Sequence, residues 1–138
     1  MLAPVERGPD PAAFDAVVLG SAVYAGGWLQ PACRYVGAVA PELRARPTWL
    51  FSSGITGGPT PFPQRGDDGR WIGDSIGALG HQVFPGRVER RVLSAAERHA
   101  WGAGPGMAGD FRDWPAVRAW AGEIATELAA RQAAPMAG

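Results

Sequence analysis

With 138 residues, the chain is long enough for one ordinary domain and too short for two of usual size. Thirteen Lys+Arg balance thirteen Asp+Glu, so no electrostatic footprint marks nucleic acid or an anionic membrane surface as a partner. A single cysteine, Cys33, excludes an internal disulfide and every multi-cysteine metal site, and the longest strongly apolar run, Ala16 to Leu19, falls far short of the roughly 20 residues of a membrane span.

In chain order, residues 1–14 carry Pro4, Pro9 and Pro11 without periodicity and are expected to form an irregular lead-in, with order beginning near Phe14. Asp15 to Gly20 is a short β-branched run stopped by glycine, the pattern of a parallel strand buried on both faces. A loop is expected over Ser21–Gly27. Leu29, Cys33, Val36 and Ala40 then recur at helical spacing with Pro31 in the first turn, which predicts a helix over about 28–40 with Cys33 on its buried stripe. Pro47 to Ser53 is a second buried strand, and the strand–helix–strand sequence predicts a βαβ unit.

Gly54 to Asp74 has glycine, proline and the Asp67-Asp68 pair but no period, so it is expected to be a long loop, followed by a helical turn at Ile76–Leu79. Gln82 to Phe84 is expected as a third strand closed by Pro85-Gly86. Val92, Leu93, Ala96 and Ala100 predict a short helix with a Ser94…Glu97 capping box, and Gly102–Gly109 a flexible linker. Asp113, Pro115 and the stripe Val117, Trp120, Ala121, Ile124 and Leu128 define the last helix, with Glu127 and Arg131 paired on its far side. The domain is thus expected over 15–131, with 132–138 a frayed tail.

In an open parallel sheet ligands bind beyond the carboxyl ends of the strands, so the candidate site residues are Ser21, Ala22, Val23, Tyr24, Ala25 and Gly26 after the first strand, and Ser52, Ser53, Gly54, Thr56 and Gly57 after the second. Their amides, hydroxyls and aromatic rim suit a flat heteroaromatic ligand. The same residues also read as tight turns that need glycine for a positive φ. Asp15-Ala16-Val17-Val18-Leu19-Gly20-Ser21-Ala22-Val23-Tyr24-Ala25-Gly26 resembles the third strand and flavin loop of flavodoxin-domain proteins, in particular the branch similar to menaquinone-dependent protoporphyrinogen oxidases. Trp49 to Gly54, His81 to Arg87 and Gly109 to Trp114 resemble that family's next strands and its lead into the last helix, in the same order.

The resemblance implies an α/β, flavodoxin-like three-layer fold, a parallel sheet with helices on both faces. It implies an FMN cofactor with Tyr24 beside the flavin, and an oxidoreductase or electron-transfer role with a small-molecule or quinone redox partner, while the single cysteine fits a reducing, cytoplasmic setting. It also implies an N-terminally incomplete domain, because nothing in residues 1–14 matches the family's first strand, phosphate loop and helix. FMN binding is therefore expected to be weak or absent in the chain as given. The alternative is a non-catalytic truncated domain that forms a homodimer, or binds another partner, through the exposed edge of its first strand. His81 and His99 read as surface or core histidines, and Trp101, Trp114 and Trp120 as packing residues. Asp67 and Asp68 read as solvated loop carboxylates. Arg87, Arg90 and Arg91 read as a solvated helix start or, less simply, an anion contact.

Overall fold

The computed structural model describes residues 1–24, 27–54, 68–88 and 109–134. In chain order its elements are β1 (Val17–Tyr24), β2 (Gly27–Trp28), α1 (Gln30–Arg44), β3 (Thr48–Gly54), α2 (Asp68–Ile76), β4 (Gly80–Pro85), β5 (Arg87–Val88), β6 (Gly109–Asp110) and α3 (Trp114–Ala133). The chain is therefore α/β, built on a mostly parallel sheet in the order β2-β1-β3-β4, with β5 and β6 as a separate antiparallel ribbon. β1 and β3 run parallel from Val17 opposite Thr48 to Ala22 opposite Ser53, and β3 and β4 run parallel from Trp49 opposite Gly80 to Gly54 opposite Pro85.

Alternation along the strands separates two faces. Leu19 of β1 and Leu50 of β3 face α1 and α2, where they join Trp28, Ala32, Val36, Leu43, Ile72 and Ile76 in the core cluster. Phe51 and Phe84 face the other way and meet Trp120 of α3 edge-on, at centroid distances of 6.1 and 5.5 Å. Gly20 lies opposite Phe51, and a Cβ there would fall inside the Phe51 ring. This glycine is a packing requirement rather than a strand terminator.

The lead-in, α1 and α2 differ from the sequence expectation in their boundaries. The lead-in is ordered well before Phe14: 3-10 turns form at Val5–Arg7 and Pro11–Ala13, and Val5 packs on the core cluster. Tyr35 Oη donates to the Pro9 carbonyl at 2.8 Å, and the Arg46 guanidinium donates to the Pro11 carbonyl. α1 does not stop before Pro41 but kinks at Val39 (φ −117°, ψ 19°), because Pro41 has no N–H for the preceding turn. It resumes to Arg44 because Leu43 is fully buried. The helix expected at Ile76–Leu79 lies earlier, at Asp68–Ile76; Gly77, at φ 64°, ends it.

α3 matches its expected cap and pair. Asp113 Oδ1 accepts from the Ala116 amide at 3.0 Å, and Glu127 pairs with Arg131 at 2.9 Å. The helix expected over 92–100, the linker 102–108, and Asp67, His99 and Trp101 lie outside the described residues.

Candidate functional site

The site expected from the sequence is the rim at the carboxyl ends of β1 and β3. Ser21, Ala22, Val23 and Tyr24 belong to β1 rather than to a loop. The reason is local: β2 turns back and pairs antiparallel, Val23 opposite Trp28 and Tyr24 opposite Gly27, so the strand has a second partner where a loop was expected. Only Ala25 and Gly26 separate β1 from β2, and both lie outside the described residues, as do Thr56 and Gly57. Ser52, Ser53 and Gly54 form the end of β3.

At this rim the backbones crowd together. A Cβ on Gly54 would stand 3.0 Å from the Val23 carbonyl oxygen, and one on Gly86 would stand 3.1 Å from Ser53 Oγ and 3.2 Å from the Gly54 amide nitrogen. The Gly86 amide donates to the Gly54 carbonyl at 2.7 Å, which draws the end of β4 onto the end of β3. The rim is thus a row of close-set main-chain groups that side chains at positions 54 and 86 would push apart.

The hydroxyls of the candidate set divide between the two faces. Ser21, buried, donates to the Ala22 carbonyl at 2.8 Å and accepts from the Leu29 amide at 3.1 Å, tying β1 to the start of α1. Ser52, with no exposed surface, accepts from Trp28 Nε1 at 2.8 Å and stands 2.8 Å from His81 Nε2. Ser53, one residue on, faces the α3 side and is half-buried.

Sequence reasoning missed the Trp28–Ser52–His81 chain. Trp28 belongs to a two-residue strand, Ser52 to a buried run, and His81 to a neighbouring strand, so no spacing in the sequence links them. The first turn of α2 closes over them: the Asp68 carboxylate accepts from the Trp28 amide at 3.2 Å, and a Cβ on Gly69 would lie 2.7 Å from Ser52 Oγ. Asp68 is exposed, as expected of a solvated carboxylate, but it opens α2 instead of lying in a loop, and it caps onto the hairpin. Cys33, expected on the buried stripe of α1, is exposed, because the buried residues of the helix are Ala32, Val36 and Leu43, and Ala32 takes the inward place next to it. Its thiol points at the Trp28 carbonyl at 3.8 Å. Partial burial and, next, the Asp68 carboxylate push its pKa up.

Outside the rim, Arg87 is exposed in β5 opposite Asp110, while Arg90 and Arg91 lie outside the described residues. Arg112 pairs with Asp110 at 2.6 Å and lies 5.4 Å over the ring of Trp114. Its hydrogen bonds hold the Asp110 carboxyl down to about 2. Among the described residues no cluster of three or more His, Cys, Asp or Glu could hold a metal ion, and no helix is long and apolar enough to cross a membrane. Compared with known proteins, the chain matches no family model, no curated protein and no solved structure.

Proposed function

We propose that the rim formed by the ends of β1 and β3 binds a flat heteroaromatic ring, and that the chain is an FMN-dependent oxidoreductase or electron-transfer protein of the flavodoxin type, possessing a small-molecule or quinone redox partner in a cytoplasmic setting. The observation that carries this reading is the rim itself: glycine-lined backbone at the carboxyl ends of two adjacent parallel strands, where open α/β sheets bind ligands. For the ring, the described residues fit. The main-chain groups near Val23, Gly54 and Gly86 can hydrogen-bond a ring edge, and Tyr24 is the last residue of β1.

For the phosphate, the described helix starts fit poorly. α2 and α3 open with the carboxylates of Asp68 and Asp113, and α1 carries the donorless Pro31 in its first turn. When bound, flavin supplies the electron-transfer chemistry. The protein's part is to hold the ring edge and keep its face against the hairpin.

Fluorescence titration of the purified chain with riboflavin and FMN tests the reading. The expected result is weak binding of both with little preference between them, because a phosphate site would add charge-assisted bonds of about 1.5–3 kcal/mol each. Tyr24→Ala is expected to weaken both. Absence of binding for both ligands overturns the reading. A second reading, a non-catalytic module that pairs with its own copy along β1, is favoured by one observation: Val17 to Ala22 have a strand partner, β3, on one side only among the described residues.

A further inference from the structure

The row of close-set main chains at the rim does not end at Gly86. The Phe111 amide donates to the Gly86 carbonyl at 3.1 Å, as the Gly86 amide donates to the Gly54 carbonyl at 2.7 Å. This bond continues the β5–β6 register by one residue, since Arg87 lies opposite Asp110 and Val88 opposite Gly109. Phe111 is therefore the next member of a line that runs from Val23 of the β1–β2 hairpin through Gly54 and Gly86. β5 follows β4 after Gly86 alone, so the ribbon leaves the sheet at the carboxyl end of β4, the end at which open α/β sheets bind ligands.

The register also fixes the side on which Phe111 leaves the ribbon. Residues directly opposite in an antiparallel pair share a face, so Phe111 stands on the face where a Cβ of residue 86 would be. Such a Cβ would lie 3.1 Å from Ser53 Oγ and 3.2 Å from the Gly54 nitrogen. That face looks onto Ser53 and Gly54, two of the candidate ring-binding positions, and glycine at 86 puts no side chain between them and Phe111.

A lone exposed phenylalanine needs no explanation by itself. This one is seated as well as exposed. A Cβ on Gly109 would stand 2.9 Å from Phe111 Cζ, so the ring lies against bare backbone. Its neighbours in sequence, Asp110 and Arg112, are tied to each other by bonds of 2.8 and 2.6 Å, and the Arg112 guanidinium lies 5.4 Å over the Trp114 ring. Phe111 nevertheless keeps 49% of its surface exposed. An apolar ring already seated, with that much surface in water, gains by taking a second flat group against its face and loses little freedom in doing so.

We propose that Phe111 is a ring-stacking residue of the rim, the wall opposite the β1–β2 hairpin against which a planar heteroaromatic ligand lies. The proposal rests on the ring-binding reading above and adds a contact to it: main-chain groups hold the edge of the ring, and Phe111 covers a face.

Riboflavin titration of the full chain and three variants tests it. Phe111→Ala is expected to weaken binding about tenfold, the size of effect that loss of one stacking ring has on a planar base, with an unchanged circular dichroism spectrum. Phe111→Trp is expected to keep the wild-type affinity and to quench the fluorescence of bound riboflavin further, because its indole then stacks on the flavin. A merely structural role of Phe111 would not produce that quenching. Phe14→Ala removes a partly exposed ring next to the amino end of β1, at the other end of the sheet, and should bind as wild type. Equal riboflavin binding by wild type and Phe111→Ala overturns the inference and leaves the ring-binding reading standing. So does a Phe111→Trp variant whose bound riboflavin is quenched no more than in wild type, and this arm decides should Phe111→Ala fail to fold. Absence of riboflavin binding by wild type overturns the ring-binding reading and the inference with it.

Discussion

Single residues in this chain are constrained more by contact than by conformation. Gly20 and Gly69 have no positive φ, yet neither position has room for a methyl group: Phe51 covers the first, and Ser52 with His81 lies against the second. Gly69→Ala drives a carbon to 2.7 Å from Ser52 Oγ, so α2 must lift or the hydrogen-bonded pair must part. Overpacking of this kind costs about 1–3 kcal/mol. Urea unfolding of Gly69→Ala should show a lowered midpoint at unchanged slope, and a midpoint equal to wild type would mean that the α2 contact is looser than described. Ordinary solvent-exposed Gly122, whose Cβ would meet nothing, is the control, because helix propensity should make Gly122→Ala neutral or stabilising.

Among the elements, α3 is the one whose attachment depends on fewest residues. It is 20 residues long, yet Ile124 is its one buried residue, and its aromatic contact with the sheet is Trp120 set edge-on between Phe51 and Phe84. Edge-to-face geometry adds to area burial, so the ring matters beyond its size. Trp120→Ala is expected to cost about 3 kcal/mol, at the lower end of the range for large aromatic truncations because the ring is half-buried. Hydrogen exchange should show the loss concentrated in α3, with β1 and β3 keeping their protection. Uniform loss of protection over the whole chain would show that α3 and the sheet unfold as one unit.

How much of each element was legible follows from the same contacts. β1, β3 and α3 could be read because their apolar residues form unbroken runs or a stripe between a capping aspartate and a first-turn proline. α2 could not, since its inward positions are Gly69, Ile72, Gly73 and Ile76, and two glycines conceal the helical spacing. In α1, Val36 lies on the buried side as its spacing predicts, but the position expected of Cys33 is taken by Ala32, a smaller apolar signal, which is the residue that packs. At the rim, the candidate positions in β1 and β3 followed from sheet topology. The Trp28–Ser52–His81 chain is tertiary and had no signal along the sequence.

At the scale of the whole molecule, the sheet is closed at one end of β1 and, among the described residues, has no strand partner along the rest of that edge. The Val17 amide donates to the Pro47 carbonyl at 2.9 Å, which fixes the alternation: odd residues of β1 turn their backbone groups to β3, and Val18 and Gly20 turn theirs outward. β2 meets the same edge only at Val23 and Tyr24. The open stretch has no charge and no proline, the two usual devices that prevent edge pairing, and Val18 is 49% exposed on it. Two copies related by a two-fold axis through Leu19 would set Val18 opposite Gly20, a large residue against a small one, with the outward amides and carbonyls of both residues paired. The chain is therefore expected to form dimers or larger species as its concentration rises, detected by sedimentation velocity. Val18→Lys places a charge on the edge without touching the core cluster, and it should return the protein to a monomer with an unchanged circular dichroism spectrum. A wild-type chain that remains monomeric at high micromolar concentration, or a Val18→Lys variant that associates as strongly as wild type, would show that β1 is not the pairing edge.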